Sequence, residues 1–212
     1  MQRIYLGLRG LALLVCLLGS SGQIFAAETN ELYNFVKPLD VVGLQLQGTL
    51  LPSATAEETA SGEIMRRLTF KSVAQPTLRL VPQAGQWNWS GAAAMTLRVQ
   101  NAMDWAVTLD VEIESAGGKR LRARIALPAG PAQTLIMPLT ATSPLAHGMR
   151  AGPPMPWVKD GQRLLLAETV EGELAAEQIL AVTLSMPQPD SPQSILLARF
   201  GTRQNDLHSP LY

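Results

Sequence analysis

The feature that most constrains this chain is an alternation of apolar and polar residues with period two, which recurs in three consecutive stretches. They cover residues 93–100, 105–114 and 121–127. In the middle stretch Trp105, Val107, Leu109, Val111 and Ile113 alternate with small or polar residues. This spacing places one face of a strand in a core and the other in water, whereas a helix needs apolar residues three and four apart. The three stretches are therefore predicted to be strands.

Turn-forming residues separate these strands from one another and from shorter candidates. The shorter candidates lie at 77–81, 133–139, 163–167, 179–186 and 194–200, and the separators are Pro82-Gln83-Ala84-Gly85, Gly117-Gly118, Pro128-Ala129-Gly130-Pro131, Asp160-Gly161 and the segment 187–192. Short strands about ten residues apart, without intervening helices, are typical of an antiparallel β-sandwich or jelly roll. We expect an all-β fold with one such domain at 63–202, after an extension with a first strand at 27–62 and before a tail at 203–212.

The register of one hairpin can be predicted from its charges. Around the turn at 115–119, one register brings acidic side chains opposite arginines on one face and apolar side chains together on the other. A slip of one residue would bury the charges, so this register is strongly specified. The acids are then expected to pair with arginines rather than to bind calcium or act as general acids. The predicted pairs are Glu114 with Arg120, Glu112 with Arg122 and Asp110 with Arg124.

The first 26 residues have the layout of a secretory signal peptide. Arg3 and Arg9 precede an apolar run at 11–18, and small residues then lead to Ala26 as the cleavage position. The run is too short to span a bilayer. It contains Cys16, the single cysteine of the chain, so the mature protein is expected to hold together without disulfides. We expect a protein exported to the periplasm or the medium, with no transmembrane segment in the mature chain.

The composition and motifs exclude several classes of function. Lys and Arg together number 17, as do Asp and Glu, so the chain lacks the basic field that nucleic-acid binding needs. It has no Gly-rich phosphate loop and no dinucleotide fingerprint, and neither His147 nor His208 accompanies a G-x-S-x-G motif. The remaining acidic cluster, at 168–177, fits a solvated loop and strand edge. We expect no catalytic residue, no cofactor and no nucleic-acid partner.

The segment around His147 offers one candidate metal site. His147, Met149 and Met155 form a short tract of soft ligands suited to Cu(I). A second histidine nearby is missing, and methionines commonly pack a loop against its neighbours. We therefore expect no bound metal.

A set of motifs in fixed order resembles a known family. Trp87-Asn88-Trp89-Ser90-Gly91 precedes the strand at 93–99, and Asn101, a Gly118-Lys119 turn and the turn at 128–131 follow. The segment 147–154, and Glu171-Gly172-Glu173-Leu174 before the strand at 179–186, continue the set. The order resembles that of the carbohydrate-binding-module-like jelly rolls that precede the catalytic barrel of agarase-type glycoside hydrolases. The resemblance covers about residues 63–202, most of the mature chain.

Two departures from the family pattern limit what the resemblance implies. Asn88 stands where these modules usually have aspartate. A glycosidase barrel needs roughly 250 residues of alternating strand and helix, and no such pattern follows the predicted sandwich. The resemblance therefore implies the fold of the accessory domain and affinity for a polysaccharide or oligosaccharide, but not hydrolysis.

Three hypotheses about function remain open at this point. The first is an exported, non-catalytic carbohydrate-binding module. The second is a periplasmic structural or interaction subunit of an envelope or exopolysaccharide assembly, which would bind a protein partner through an edge strand or the segment 28–61. The third is a short agarase-type enzyme. Aromatic residues make up 5% of the chain, a low share for a dedicated sugar-binding module.

Three of the four tryptophans are predicted to be structural. Trp105 continues the apolar face of the strand at 107–113 and is therefore expected to point into the core. Trp87 and Trp89 share a face by parity, and Trp89 leads into the next strand. Because a buried aromatic side chain removes a large area from water, we expect Trp89 to fill the core or its rim.

Trp157 is the candidate for ligand binding. It follows Gly152-Pro153-Pro154-Met155-Pro156, a stretch that cannot pair regularly in a sheet, so we expect Trp157 on a stiff surface loop. A ring that is already ordered loses little entropy when it binds a sugar. The alternative is that Trp157 covers one open end of the sandwich. The polar residues expected to bind sugar hydroxyls beside it are His147, Arg150, Lys159 and Asp160.

Overall fold

The computed structural model describes residues 29–38, 43–51, 56–143 and 155–204, which form two sheets. The first sheet has nine strands: β1 (Thr29–Asn34), β3 (Thr49–Leu50), β4 (Glu57–Glu58), β5 (Ile64–Phe70), β7 (Ala94–Asn101), β10 (Gln133–Pro138), β11 (Trp157–Lys159), β12 (Gln162–Leu166) and β15 (Gln193–Arg203). The second has six: β2 (Leu44–Gln47), β6 (Thr77–Leu80), β8 (Val107–Ser115), β9 (Arg120–Leu127), β13 (Val170–Gly172) and β14 (Ile179–Ser185). No helix among these residues is long and apolar enough to cross a membrane.

The order of the strands is that of a two-layer sandwich. The first sheet runs β11-β12-β10-β7-β15-β5-β3, with β1 beside β15 and β4 beside β5, and the second runs β13-β9-β8-β14-β6-β2. Neighbouring strands are antiparallel except β10 and β12, which are parallel. The predicted all-β sandwich or jelly-roll fold is confirmed. The strands β1 to β4, all before residue 63, pair within the same two sheets, so the N-terminal segment adds to both layers.

The core lies between the two sheets and is built from the apolar positions of the alternating strands. Leu97 and Val99 of the first sheet belong to one buried cluster with Leu109, Val111 and Ile113 of the second, all at most 1% exposed. Burying such side chains is the main favourable term in folding, at roughly 25 cal/mol per Å² of apolar area. The exposed charges of β8 and β9 lie on the opposite, solvent-facing side of the second sheet.

The predicted hairpin register is confirmed at every pair. The strands β8 and β9 pair Asp110 with Arg124, Glu112 with Arg122 and Glu114 with Arg120. The side-chain contacts differ at one end of the ladder. Arg120 donates to Glu112 over 3.2 Å, while Glu114 binds Arg79 of β6, which lies beyond β14 in the same sheet, over 2.7 Å. Each acid still has an arginine partner, because β6 supplies a further cation within reach.

The prediction that Trp105 points into the core is wrong. The strand β8 begins at Val107, and Trp105 lies in the loop before it with 51% of its surface exposed. The parity that links Trp105 to Val107 holds only within a strand. Here the loop at 102–106 leaves the sheet, and Met103 packs against the core instead.

Candidate functional site

Trp157 lies in an edge strand of the first sheet rather than in a loop. It is the first residue of β11, which pairs antiparallel with β12 so that Trp157 faces Leu164. The two strands are joined by Asp160 and Gly161, whose φ angles are 50° and 73°. The predicted loop position was therefore wrong. An edge strand needs partners on one side only, so regular pairing can begin immediately after Pro156.

The indole of Trp157 packs on a small apolar cluster that is separate from the core. This cluster contains Ala94, Ile136 and Leu164, all buried, with Trp157 and Leu166 packed against it. Leu135 and Leu165, the sequence neighbours of Ile136 and Leu164, belong to the main core, so the cluster lies on the outer face of the first sheet. Trp157 is partly exposed. The indole is therefore supported by this cluster on one side and accessible to solvent on the other.

Polar side chains continue the row that begins at Trp157 across the outer face. Pairing in register links Trp157 to Leu164, Leu164 to Thr134 and Thr134 to Arg98. Paired residues point to the same side of a sheet, and strands are about 4.8 Å apart, so this row is about 14 Å long from Trp157 to Arg98. We call these four residues the Trp157 row. The row joins one aromatic ring to a hydroxyl and a guanidinium.

Arg98 is held in place by Glu63. Its Nε donates to Glu63 Oε1 over 2.9 Å, and its Nη2 donates to Glu63 Oε2 over 2.6 Å. About a quarter of the Arg98 side chain is exposed, and its Nη1 donates to none of the described residues. A bidentate pair of this kind fixes the guanidinium plane. Arg98 can therefore offer its remaining donors to a ligand without losing its orientation.

A second ion pair borders the same face. Arg67 of β5 donates to both oxygens of Glu57 in β4, over 2.8 and 2.7 Å. These hydrogen bonds hold the pKa of Glu57 below its ordinary value of 4.5, against the opposing effect of burial, and they raise the pKa of Arg67. Both groups are thus charged near neutral pH. The pair secures β4 to β5 at the side of the face away from Trp157.

Two of the four polar residues predicted to assist Trp157 are described. Lys159 lies in β11 and Asp160 in the following turn, both exposed, and neither forms an ion pair with a described residue. His147 and Arg150 lie outside the described residues. Sequence reasoning missed Thr134 and Arg98. The alternation at 93–100 predicts Arg98 on the solvent-facing side of its strand. No local sequence signal predicts the parallel pairing of β10 with β12, which places Arg98 and Trp157 in one row.

Trp87 and Trp89 lie at the end of the sandwich opposite the turn at Asp160 and Gly161, and they are structural. Their rings stack with centroids 5.8 Å apart, and both contact Phe200. Trp89 is 2% exposed, in agreement with the predicted core position. Asn88, at the position where the modules that the sequence resembles usually have aspartate, accepts a hydrogen bond from the Ser90 N–H over 3.0 Å. An amide oxygen serves this turn as a carboxylate would.

Several acidic side chains of the described residues pair with cations rather than gather into a metal site. Asp110, Glu112 and Glu114 bind arginines, and Glu173 binds Lys119 over 3.3 Å. Within the described ranges no three histidine, cysteine, aspartate or glutamate side chains converge as metal ligands. Of the tract considered for Cu(I), only Met155 is described, and it is 71% exposed.

The outer face of the second sheet is of a different kind, because none of its six strands contains an aromatic residue. In-register pairs carry charged and polar side chains from edge to edge of this sheet. The row is Glu171, Arg122, Glu112, Thr183, Arg79 and Gln45.

Fold and sequence together define the class. Two mainly antiparallel sheets packed face to face form a sandwich like that of carbohydrate-binding modules. Residues 51–186 match the model of the agarase CBM-like domain family, and the chain belongs to this family. No curated protein sequence matches the chain.

Solved structures with a similar fold include two agarases. An agarase superposes with a TM-score of 0.66 at 15% identity, covering 87% of this chain and 26% of the agarase. An exo-β-agarase gives 0.66 at 16% identity, with 84% and 26% covered. A family 11 carbohydrate-binding module from Clostridium thermocellum, in complex with a β-1,3-1,4-mixed-linked tetrasaccharide, gives 0.52 at 10% identity, with 86% and 100% covered. The chain thus spans about a quarter of the agarases and the whole of an isolated module.

Proposed function

We propose that this chain is an exported, non-catalytic module that binds a polysaccharide through the outer face of its first sheet, in the manner of an agarase accessory domain. The observation that carries the proposal is the packing of Trp157 on the apolar cluster of Ala94, Ile136 and Leu164. A ring supported from below and open above can stack on a sugar without first becoming ordered.

The other residues of the Trp157 row also support polysaccharide binding. A sugar ring offers an apolar face and a rim of hydroxyls, so its site needs an aromatic surface beside a few placed polar groups. Thr134 and the Glu63-bound Arg98 lie along the row from Trp157. A row of about 14 Å suits a short oligosaccharide segment rather than a single sugar. Lys159 and Asp160, and His147 and Arg150 as predicted from the sequence, would supply further hydrogen bonds.

The comparisons favour a polysaccharide as the ligand class. The family 11 module was solved in complex with a tetrasaccharide, and the family to which this chain belongs is named for agarases. Agarose is therefore the first polysaccharide to test. Export to the periplasm or medium, where such polymers are met, is part of the proposal and rests on the signal-peptide layout of the first 26 residues.

The alternative is an interaction subunit, and the charged outer face of the second sheet favours it. Its row of paired charges resembles a polar protein interface more than a sugar platform, because it has no aromatic side chain. In that case the protein partner would bind the second sheet, and polysaccharide retention would be absent.

The test is the variant Trp157→Ala on gels of agarose and of other polysaccharides. We expect retention to fall about tenfold or more, because the stacking surface is lost, while the melting temperature falls by only a few degrees. Val158→Ala is the matched control, since Val158 is 68% exposed in the same short strand and points to the other side. Retention of Trp157→Ala equal to wild type contradicts the site. A wild-type protein that no polysaccharide gel retains contradicts the function and favours the interaction subunit.

A further inference from the structure

Trp105 is the most exposed of the four tryptophans, with 51% of its surface accessible. It lies in the loop at 102–106, which joins β7 of the first sheet to β8 of the second. Its neighbour Asp104 is also exposed and forms no ion pair with any residue that the structure describes. A large apolar ring beside a free carboxylate at the rim of the sandwich is therefore open to solvent. The Trp157 row does not include it.

The loop that carries Trp105 is fixed by the buried side chain of Asn101. Asn101 is 3% exposed, and its Nδ2 donates to the carbonyl oxygens of Trp105 over 2.7 Å and of Leu127 over 3.0 Å. Its Oδ1 accepts from the Met103 N–H over 2.9 Å. A single side chain thus ties the loop to the end of β9. Because the carbonyl of Trp105 itself is bound, the backbone that carries the indole is held in place.

Contacts with β15 hold the other side of the same loop. The Ala102 N–H donates to the Ser194 carbonyl over 3.1 Å, and Met103 packs on the core while its sulfur accepts from the Ser194 N–H. These contacts hold the loop although the Trp105 indole stays in water, where it does not gain the stabilisation that burial would give. The loop therefore holds the backbone of Trp105 in place while the indole stays exposed.

The Trp105 loop and the candidate sugar site lie toward the same end of the sandwich. The strand β7 ends at Asn101, and β10 and β12 begin at this end because β7 pairs antiparallel with β10 and β10 pairs parallel with β12. The turn at Asp160 and Gly161 precedes β12 and lies there too. The turn at 128–131 adjoins the loop through a bridge between Asn101 and Ala129.

We propose that Trp105 forms a second, separate sugar-binding contact at this rim, which stacks on one ring of the polysaccharide that the Trp157 row binds. This inference rests on the proposed function. Asp104 would accept hydrogen bonds from hydroxyls of the stacked sugar, as carboxylates beside aromatic platforms can. Two fixed contacts on one module strengthen retention on a polymer, where the second contact follows the first at high effective concentration.

The experiment compares agarose-gel retention, and titration with soluble agaro-oligosaccharides, for Trp105→Ala, Trp157→Ala and the double variant. We expect Trp105→Ala to weaken polymer retention about threefold to tenfold, and Trp105→Phe to restore most of it. Val73→Ala is the matched control, since Val73 is also exposed, at 41%, in a loop at this end. In the Trp157→Ala background, oligosaccharide should still change the tryptophan fluorescence, and the double variant should lose that change.

The outcomes separate this inference from the proposed function. If wild type is not retained by agarose or another polysaccharide gel, the proposed function fails and this inference with it. If retention depends on Trp157 while Trp105→Ala binds as wild type does, only the second contact is overturned. Should Trp105→Ala unfold, the indole N–H signal of Trp105 in wild-type NMR spectra decides, because a signal that stays fixed through saturation with oligosaccharide overturns the contact.

Discussion

Trp89 is the residue on which the Trp87 end of the sandwich depends most. It is 2% exposed, stacks on Trp87, contacts Phe200, and donates its backbone N–H to the Ala176 carbonyl over 2.7 Å. Trp89→Ala removes the buried ring and leaves a cavity, so we expect a loss of about 3–5 kcal/mol in the free energy of unfolding. Urea denaturation followed by circular dichroism measures it.

Trp89→Phe is the informative companion to that variant. The Nε1 of Trp89 is buried and finds no acceptor among the described residues, so replacing the indole with a phenyl ring removes an unsatisfied donor along with some packing. We expect its cost to be well below that of Trp89→Ala. An unchanged midpoint for Trp89→Ala would contradict the core position.

The two tryptophans that sequence parity assigned to the core show where such reasoning succeeds and fails. Trp89 is buried as predicted, because the turn formed by Asn88 and Ser90 carries the chain directly into β7. Trp105 is exposed, because Asn101 ends β7 with three side-chain hydrogen bonds and directs the loop outward. The alternation of side-chain directions along a strand does not continue across a loop. The exposure of Trp105 depends on the hydrogen bonds of the buried Asn101 amide, which the sequence alone does not reveal.

At the scale of elements, β1 depends on a glycine in the strand beside it. The strands β1 and β15 pair antiparallel with Glu31 opposite Gly201, and a Cβ built on Gly201 would lie 2.2 Å from the Asn30 carbonyl oxygen. Backbone cannot yield as a flexible side chain can. We expect Gly201→Ala to displace β1, so that amide hydrogens of Thr29–Asn34 exchange faster, while those of β7 on the other side of β15 stay protected.

Gly91→Ala is the control for that prediction. Gly91 has an ordinary φ, and a Cβ there meets nothing within 4 Å. Hydrogen exchange of β1 should therefore match wild type in Gly91→Ala. Wild-type exchange of β1 in Gly201→Ala would show that the strands separate without loss of pairing, and would contradict the expectation.

The elements differ in how far sequence could predict them. The β8–β9 hairpin was predicted in full register, because its partners are adjacent in the chain and opposite charges specify their alignment. The pairing of β10 with β12 and of β1 with β15 was not, since the partners are distant in sequence and neither register places opposite charges directly across from each other. The candidate site depends on the first of these distant pairings. Trp157 could therefore be singled out from sequence, but its row could not.

At the scale of the whole molecule, the two outer faces predict different responses to salt. The chain carries 17 basic and 17 acidic residues, so no net field attracts a polymer. Stacking on Trp157 and hydrogen bonding to neutral hydroxyls are short-range contacts that salt hardly screens. Raising the salt from 0.1 M to 1 M shortens the screening length from about 10 Å to about 3 Å. We expect agarose retention to change by less than about twofold over this range.

A partner bound through the second sheet would behave otherwise. The row from Glu171 to Gln45 contains the ion pair between Arg122 and Glu112, and its Arg79 binds Glu114, so binding there would weaken as salt rises. Reversing charges in Glu171→Lys with Asp110→Lys should therefore leave agarose retention unchanged, because both residues lie on the face away from Trp157. Retention that falls in this double variant, or that falls steeply with salt while Trp157→Ala is without effect, would assign binding to the second sheet and contradict the sugar site on the first.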